Sequence, residues 1–339
     1  MSAASMESEK DVLSVADLVV KFPVAGGGFL SKPSFVHAVD GVSLSVNRSI
    51  SFGIVGESGS GKSTTAQAIM RLVGVTGGQI VLDGNDVTAL QGKALRNVRR
   101  KIQIIFQDPF SALDPRRRAG DLIREPLDLL KIGSAREREE RVRALLHEVG
   151  LQPEAADLFP HQFSGGQRQR LCIARALAPE PDLIVCDEAV SALDVAIQAQ
   201  ILNLLKKLQR ERGLTYIFIS HDLGVVQNFC DQIAVMYLGK IVEQGAASDI
   251  FGKPLHPYTW SLIAAACPPG ELRDTLKAKY LVRGDPPSPV DPEPGCRFAQ
   301  RCPYVIDRCR LEHPALETIE DGHKVACIRI GEIPAPTFS

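Results

Sequence analysis

The chain has 339 residues, 45% of them hydrophobic. This is enough to bury one large core or two modest ones, and the length by itself predicts about two domains. Its 39 basic and 40 acidic side chains leave a formal net charge of −1, so no overall positive field attracts the chain to nucleic acid. The first ten residues are polar, and no uninterrupted apolar run approaches the length of a membrane span. We therefore expect that the chain neither crosses a membrane nor enters the secretory path by itself.

The first two predicted strands, at residues 12–20 and 36–46, alternate apolar and polar side chains. A glycine-rich segment at residues 25–28 between them predicts a flexible loop. Phe22 stands just before this loop. An aromatic ring here could stack on a purine base, but from the residues alone an ordinary core side chain at the end of a strand is favoured.

The strongest motif follows an apolar strand pattern and opens an apolar-periodic helix pattern. Its residues are Gly56, Glu57, Ser58, Gly59, Ser60, Gly61, Lys62, Ser63 and Thr64. Glycines at both ends let successive backbone N–H groups turn inward around an anion, and the start of the helix adds partial positive charge. In such a phosphate loop Lys62 reaches the terminal phosphates and the Ser63 hydroxyl holds Mg²⁺. The context of strand, loop and helix therefore predicts a nucleotide site.

A buried-strand pattern at residues 102–106 ends at Gln107. A polar amide at the carboxyl end of a parallel strand points into the crevice where open α/β sheets bind ligands. From residue 109 to residue 160 the pattern changes to helices, which predicts a helical insertion rather than more sheet.

A Ser-Gly-Gly-Gln segment starts the next predicted helix. Its residues are Ser164, Gly165, Gly166 and Gln167. A hydroxyl and unpaired N–H groups at a helix start can bind an anion, although a plain capping turn has the same composition.

Two acids, Asp187 and Glu188, end an apolar strand pattern. One is in line to hold Mg²⁺ and the next to orient or deprotonate a water molecule, whereas two unpaired acids without a function would be costly there. His221 ends a later strand pattern. A histidine at a strand end is often only structural, but the edge it shares with Gln107 and Glu188 favours a contact with phosphate.

Over about residues 12–250 the chain resembles the ATP-binding subunits of ABC transporters. The quoted motifs match Walker A (Gly56 to Ser63), the Q-loop (Gln107), the signature (Ser164 to Gln167), Walker B with its adjacent acid (Asp187, Glu188), the D-loop (Asp194), the switch histidine (His221) and the adenine-stacking position (Phe22). Phe163 stands where leucine is commoner before the signature, and residues 47–50 replace the usual Gly-Glu turn. Neither departure touches the phosphates.

This resemblance implies an α/β P-loop NTPase, with a RecA-like parallel core, an antiparallel β subdomain and a helical insertion. It also implies that Mg²⁺ is held by Ser63, Gln107 and Asp187, and that ATP contacts two subunits at once because each signature acts on the nucleotide of the opposite subunit. We expect a nucleotide-binding domain at residues 1–250, with a helical subdomain at about 108–165, and a small irregular extension at 251–339.

Residues 106–115, 186–194 and 256–259 resemble the oligopeptide/dipeptide/nickel importer branch, and Ala189-Val190 resembles the second of its two ATPases. The extension is similar to that branch's C-terminal region. It holds Cys296, Cys302, Cys309 and Cys327 in a proline-rich segment that would gain from a staple. Their spacing matches neither a zinc knuckle nor a ferredoxin motif. The resemblance favours a [4Fe–4S] cluster, with zinc and free or oxidised thiols as alternatives.

The resemblance implies an ATPase at the cytoplasmic face of the cell membrane. It would drive uptake of peptides or related small solutes, with two membrane-spanning permeases, a second homologous ATPase, and a solute-binding protein that acts through the permeases. Nickel chelates, glutathione and sugar- or amino-acid-derived compounds are cargo of related systems, and the cargo cannot be read from this chain.

A soluble ABC ATPase acting on ribosomes or nucleic acid is the alternative. It would be expected to carry tandem cassettes, a coiled coil or a basic arm, and none is visible. A regulatory module without turnover is disfavoured because every hydrolytic position is intact.

Overall fold

The computed structural model describes residues 11–24, 33–267, 274, 279–282, 284–320, 322–334 and 336. The predicted loop at residues 25–28 lies outside these ranges. Contacts divide the chain into two units, unit 1 (Met1–Leu13, Val46–Ile50, Val81–Ile219) and unit 2 (Ser14–Ser45, Ser51–Ile80, Ser220–Ser339). The boundary expected at residue 250 and the helical subdomain expected at 108–165 stay predictions.

The described strands are β1 (Asp11–Pro23), β2 (Phe35–Asn47), β3 (Ser51–Val55), β4 (Gly77–Leu82), β5 (Asn85–Asp86), β6 (Ile102–Ile105), β7 (Leu183–Asp187), β8 (Thr215–Ser220), β9 (Gln232–Tyr237), β10 (Lys240–Ala246), β11 (Glu317–Glu320) and β12 (His323–Val325). The described α-helices are α1 (Lys62–Ile69), α2 (Gly92–Lys101), α3 (Pro109–Ala112), α4 (Ala119–Leu130), α5 (Ala135–Glu148), α6 (Gly165–Leu177), α7 (Val195–Arg212), α8 (Leu223–Phe229), α9 (Ala247–Gly252), α10 (Pro257–Ala266) and α11 (Asp307–Leu311). Short 3₁₀ helices lie at Pro153–Asp157 and Pro160–Gln162.

In unit 1, β6, β7 and β8 run parallel in this order. The apolar side chains of β7 and β8 are fully buried, as expected for parallel strands that are covered on both faces. Asp187 pairs with Ile219 at the carboxyl end of this sheet. The parallel order therefore delivers the strand-end acids to the edge where such sheets bind ligands.

In unit 2, β3 runs parallel to β9, and β9 turns back into antiparallel β10. The C-terminal segment continues this sheet, because β12 pairs with β10 and β11 pairs with β12. The extension is thus tied to β10 by backbone hydrogen bonds, which its irregular sequence did not predict. Within unit 1, the end of β4 pairs antiparallel with β5, Val81 with Asp86 and Leu82 with Asn85.

Helices occupy most of the segment from residue 109 to residue 162, as the residue pattern predicts. Helix α5 begins at a capping box, in which the Ser134 and Glu137 side chains each accept a hydrogen bond from the other's backbone N–H. Arg175 on α6 holds this region together: its guanidinium donates to the Glu125 carboxylate of α4 at 2.7 Å and to the Ala112 carbonyl of α3 at 2.9 Å.

Aromatic rings anchor the C-terminal segment in unit 2. Phe298 packs edge-on against Tyr237, with ring centroids 5.2 Å apart, and also contacts Tyr258 and His256. His256 is buried, and its Nδ1 accepts the N–H of Tyr258 at the start of α10. Burial lowers the pKa of His256 to about 3, so the ring is neutral at physiological pH.

Candidate functional site

The phosphate-loop motif lies in unit 2, between β3 and α1. Gly61 has a φ of 105°, and a side chain there would meet the Ala38 carbonyl oxygen at 2.2 Å, so only glycine fits this turn. The Lys62 ammonium group donates to the carbonyl oxygens of Gly56 at 2.9 Å and Glu57 at 2.8 Å. Lys62 therefore lies over the loop whose phosphates it is predicted to contact.

Gln107 and Glu188 come together in unit 1. The Gln107 amide nitrogen donates to a Glu188 carboxylate oxygen at 2.8 Å, although the two residues are 81 positions apart. Glu188 adopts a φ of 50°, which is uncommon for a residue other than glycine. Its backbone N–H donates to the Ile219 carbonyl of β8 at 3.0 Å. The neighbouring strand therefore fixes the backbone of this acid.

The Ser164 to Gln167 segment forms a capping box at the start of α6. The Ser164 hydroxyl accepts from the Gln167 N–H at 3.4 Å, and the Gln167 side chain accepts from the Ser164 N–H at 2.9 Å. Gly166 lies against α7, where an added side chain would meet a methyl group of Ile197 at 2.5 Å. Asp194 caps α7 by accepting the Ile197 N–H at 2.9 Å. Within one chain the signature is thus a well-formed helix start.

The remaining predicted residues divide between the units. Phe22 at the end of β1 and His221 after β8 belong to unit 2, and Asp187 belongs to unit 1. Phe22 is 39% exposed, so its ring is open to contact rather than part of the core that the residues alone favoured.

Two residues that the motifs did not single out contact the phosphate loop. Arg301 donates twice to the Glu57 carboxylate, and the Tyr258 hydroxyl accepts the Glu57 N–H at 2.8 Å. Arg301 and Glu57 are 244 positions apart. No spacing or periodicity could have paired them, because only the fold brings the extension to the loop.

The four C-terminal cysteines are thiols rather than disulfides, and all four line one cavity of about 20 Å³ together with apolar side chains. Burial raises the pKa of Cys296 to about 11 and that of Cys302 to about 12. Among the residues that the structure describes, no three His, Cys, Asp or Glu side chains are grouped so that they could hold a metal ion. The fold therefore gathers the four thiols, but not in the geometry of a single-ion site.

Comparison with known proteins identifies the class. Residues 39–191 match the ABC transporter family, and residues 242–309 match the oligopeptide/dipeptide transporter C-terminal region. A solved dimer of the ATP-binding cassette MJ0796, bound to ADP and Pi, is 31% identical with a TM-score of 0.61, and covers 69% of this chain and 98% of that one. The cbiO1 protein of Clostridium perfringens is 28% identical with a TM-score of 0.62, and covers 72% and 91%. The fold is that of an ABC transporter ATPase, which couples ATP hydrolysis to transport, so the predicted α/β cassette fold is confirmed.

Relatives narrow the assignment. A probable peptide ABC transporter ATP-binding protein of Sinorhizobium fredii is 49% identical over 93% of this chain and 89% of its own length. The oligopeptide transport ATP-binding proteins AppF of Bacillus subtilis and OppF of Salmonella typhimurium are 46% and 45% identical, each over 96% of this chain and over 99% and 98% of their own lengths. The chain belongs to the oligopeptide/dipeptide family of ABC transporter ATP-binding proteins. None of the described helices has the length and apolar character needed to cross a bilayer.

Proposed function

We propose that this chain is the ATP-hydrolysing subunit of an importer for di- and oligopeptides or related small solutes, at the cytoplasmic face of the cell membrane. The observation that carries the proposal is the 45–46% identity to AppF and OppF over 96% of this chain, since both are named for oligopeptide transport. By the same argument, its partners are two permeases, a second homologous ATPase and, through the permeases, a solute-binding protein.

In this proposal Gly56 to Thr64 cradle the phosphates of ATP, Lys62 and His221 contact the γ-phosphate, and Phe22 stacks on adenine. Glu188 orients or deprotonates the attacking water. Ser164 to Gln167 and Asp194 contact nucleotide bound to the partner ATPase. ATP then holds two subunits together until hydrolysis removes the bridge.

The donor set formed by Ser63, Gln107 and Asp187 suits Mg²⁺, because hydroxyl, amide and carboxylate oxygens are the ligands this hard cation prefers. The Gln107 amide nitrogen already donates to Glu188 at 2.8 Å, which leaves its oxygen as the atom to ligate a cation. When bound, Mg²⁺ neutralises charge that develops on the phosphates.

We place the permease contact in a groove of unit 1. This groove has a volume of about 410 Å³, and its lining includes Phe106, Leu129, Arg96 and Arg99. Phe106 is 44% exposed and Leu129 is 67% exposed, and both line this one groove, where apolar side chains gathered together can receive a partner. The occupant proposed here is a short cytoplasmic segment of a permease, with apolar side chains for the groove and acidic ones for the two arginines.

We further propose that the four C-terminal cysteines hold a [4Fe–4S] cluster. Support comes from the donor set, since four thiols line one cavity and cysteine thiolates are the usual ligands of such clusters. Arg329 also lines this cavity, and the cavity volume of about 20 Å³ has room for about one water molecule, so cluster binding requires the cysteine segments to move apart. A cluster gives each thiolate its own iron, whereas zinc needs all ligands around one ion. Anaerobic purification with iron, sulfide and zinc analysis tests this, and stoichiometric zinc without sulfide would refute the cluster.

The importer itself is tested by tagging this subunit in its native host, isolating it gently from solubilised membranes and identifying co-purifying proteins and small molecules by mass spectrometry. We expect two permeases, a second ATPase and a loaded binding protein, whose ligand would name the cargo. Recovery with ribosomes or DNA from the soluble fraction would overturn the transport function and support the alternative of a soluble ABC ATPase.

A further inference from the structure

The C-terminal segment holds the phosphate loop at its second residue, Glu57. One guanidinium nitrogen of Arg301 donates to a Glu57 carboxylate oxygen at 2.7 Å, and the other donates to the second oxygen at 3.0 Å. The backbone N–H of Glu57 donates to the Tyr258 hydroxyl at 2.8 Å. These groups belong to one unit of the structure. Both the backbone and the side chain of Glu57 are therefore fixed by residues of the extension.

Burial makes this ion pair different from those on the surface. The Arg301 side chain is only 9% exposed, and its guanidinium also lies 3.4 Å from the Tyr237 hydroxyl. The Glu57 side chain is 30% exposed, so the pair is partly buried. A two-pronged contact between a buried arginine and a carboxylate is stronger and more specific in direction than a fully exposed pair. Arg308 and Glu312 form an exposed pair in the same segment, with side chains 60% and 55% accessible, and such pairs contribute little.

Arg301 lies on a turn that carries two of the four cysteines. The N–H groups of Arg301 and Cys302 both donate to the Phe298 carbonyl, at 3.0 and 2.9 Å. The N–H of Cys296 donates to the Cys309 carbonyl at 2.8 Å, which connects the start of this turn to a third cysteine. Arg301 therefore shares one hydrogen-bonded turn with Cys302, its neighbour in the chain.

We propose that Arg301 is a positioning residue for ATP binding, and that through it the four-cysteine segment controls the affinity of the phosphate loop for ATP. The inference rests on the proposed role of Gly56 to Ser63 in binding ATP. Two physical effects carry it. Arg301 neutralises a carboxylate that would otherwise repel the phosphates, and it orders the loop before the nucleotide arrives.

The test compares Arg301→Ala, Arg301→Lys and the matched control Arg308→Ala in the full-length chain. MgATP affinity is measured on the purified chain, and KM and kcat for ATP are measured in the assembled importer. We expect Arg301→Ala to weaken ATP binding and raise KM by about tenfold, with kcat at saturating ATP close to wild type. Arg301→Lys should give an ATP affinity between those of wild type and Arg301→Ala, because lysine keeps the positive charge but cannot donate to both carboxylate oxygens as the guanidinium does. Arg308→Ala should have the ATP affinity of wild type.

A double-mutant cycle with Glu57→Gln tests whether Arg301 affects ATP binding through its contact with Glu57. If Arg301 acts through Glu57, the effect of Arg301→Ala should largely disappear when Glu57 is already neutral, and it should shrink as salt rises. Cys302→Ala should weaken ATP binding in the same direction, and its effect should not add to that of Arg301→Ala.

The results distinguish failure of this inference from failure of the proposed nucleotide site. Wild-type affinity in a folded Arg301→Ala chain, or an undiminished effect in the Glu57→Gln background, would overturn the inference. If Arg301→Ala does not fold, Arg301→Lys and Glu57→Gln decide in its place. A wild-type chain that binds no ATP would instead refute the proposed nucleotide site.

Discussion

At the scale of single residues, the hydrogen bond between Gln107 and Glu188 joins two residues to which we assign hydrolytic roles in the proposed function. Glu188 holds a left-handed backbone at a cost of about 1 kcal/mol. Two contacts compensate for it: its N–H donates to Ile219, and its carbonyl accepts the Ser191 hydroxyl at 2.9 Å. Such local strain, maintained by surrounding contacts, is common at functional sites.

We expect Glu188→Gln to bind ATP but to hydrolyse it at least about 100-fold more slowly, because an amide cannot accept the proton of the attacking water. Nucleotide binding and phosphate release, measured on the same preparation, check this. Glu180→Gln is the control, since Glu180 also has a positive φ but lies 61% exposed on the surface. Near-normal turnover in Glu188→Gln would contradict the role proposed for Glu188.

His256 should make stability depend on pH. Because burial lowers its folded-state pKa to about 3, the unfolded chain binds the extra proton below pH 6.5 and stability falls as the pH drops. From pH 7.5 to 5.5 the loss from this group is about 1.4 kcal/mol.

Denaturant unfolding at both pH values measures this loss. His256→Asn keeps an acceptor for the Tyr258 N–H and cannot titrate, so the stability of wild type relative to the variant should fall by about 1.4 kcal/mol from pH 7.5 to pH 5.5. Parallel pH profiles for the two chains would show that His256 does not carry the effect.

At the scale of elements, the start of α6 serves two requirements. Its Ser-Gly-Gly-Gln sequence caps the helix, and the lack of a side chain at Gly166 allows α6 to approach α7 at Ile197. A sequence motif read as an anion site is therefore also a packing motif. Both interpretations of the residues are compatible, because the cap and the close approach are properties of the same turn.

Gly166→Ala should destabilise the chain by about 1–3 kcal/mol, since the new methyl group overlaps Ile197 and one helix must shift. Gly165→Ala is the matched control, because its added methyl group would meet only Leu193 at an ordinary 3.8 Å. Thermal melting of the two variants compares them directly. Equal melting temperatures would mean that α6 and α7 accommodate the added methyl group without losing stability.

At the scale of the whole molecule, assembly depends on surfaces that the chain leaves uncovered. Leu129 lies 67% exposed in the groove where we propose that a permease binds. Placing a charge there desolvates a carboxylate against an apolar partner and adds an acid where we expect acidic side chains from the permease.

Leu129→Glu should therefore reduce co-purification of the permeases by at least about tenfold while the variant melts like wild type. Leu311→Glu is the control, since Leu311 is 76% exposed and does not line that groove. Undiminished recovery of the permeases with Leu129→Glu would place their contact elsewhere.

The sequence by itself predicted the phosphate loop, the strand-end acids, the signature and the α/β order of elements. These features are local: a glycine pattern, a cap or an apolar run acts within a few residues, so short-range chemistry specifies it.

Only the tertiary structure decided what the C-terminal segment does. Its proline-rich sequence has no periodicity, yet β12 pairs with β10, Phe298 packs against Tyr237, and Arg301 reaches Glu57. Contacts between residues far apart in the chain depend on how the whole chain folds, because backbone pairing and buried charge are satisfied by whichever partner the fold brings near. For that reason the motifs predicted the nucleotide site, whereas the contact between Arg301 and Glu57 required the folded chain.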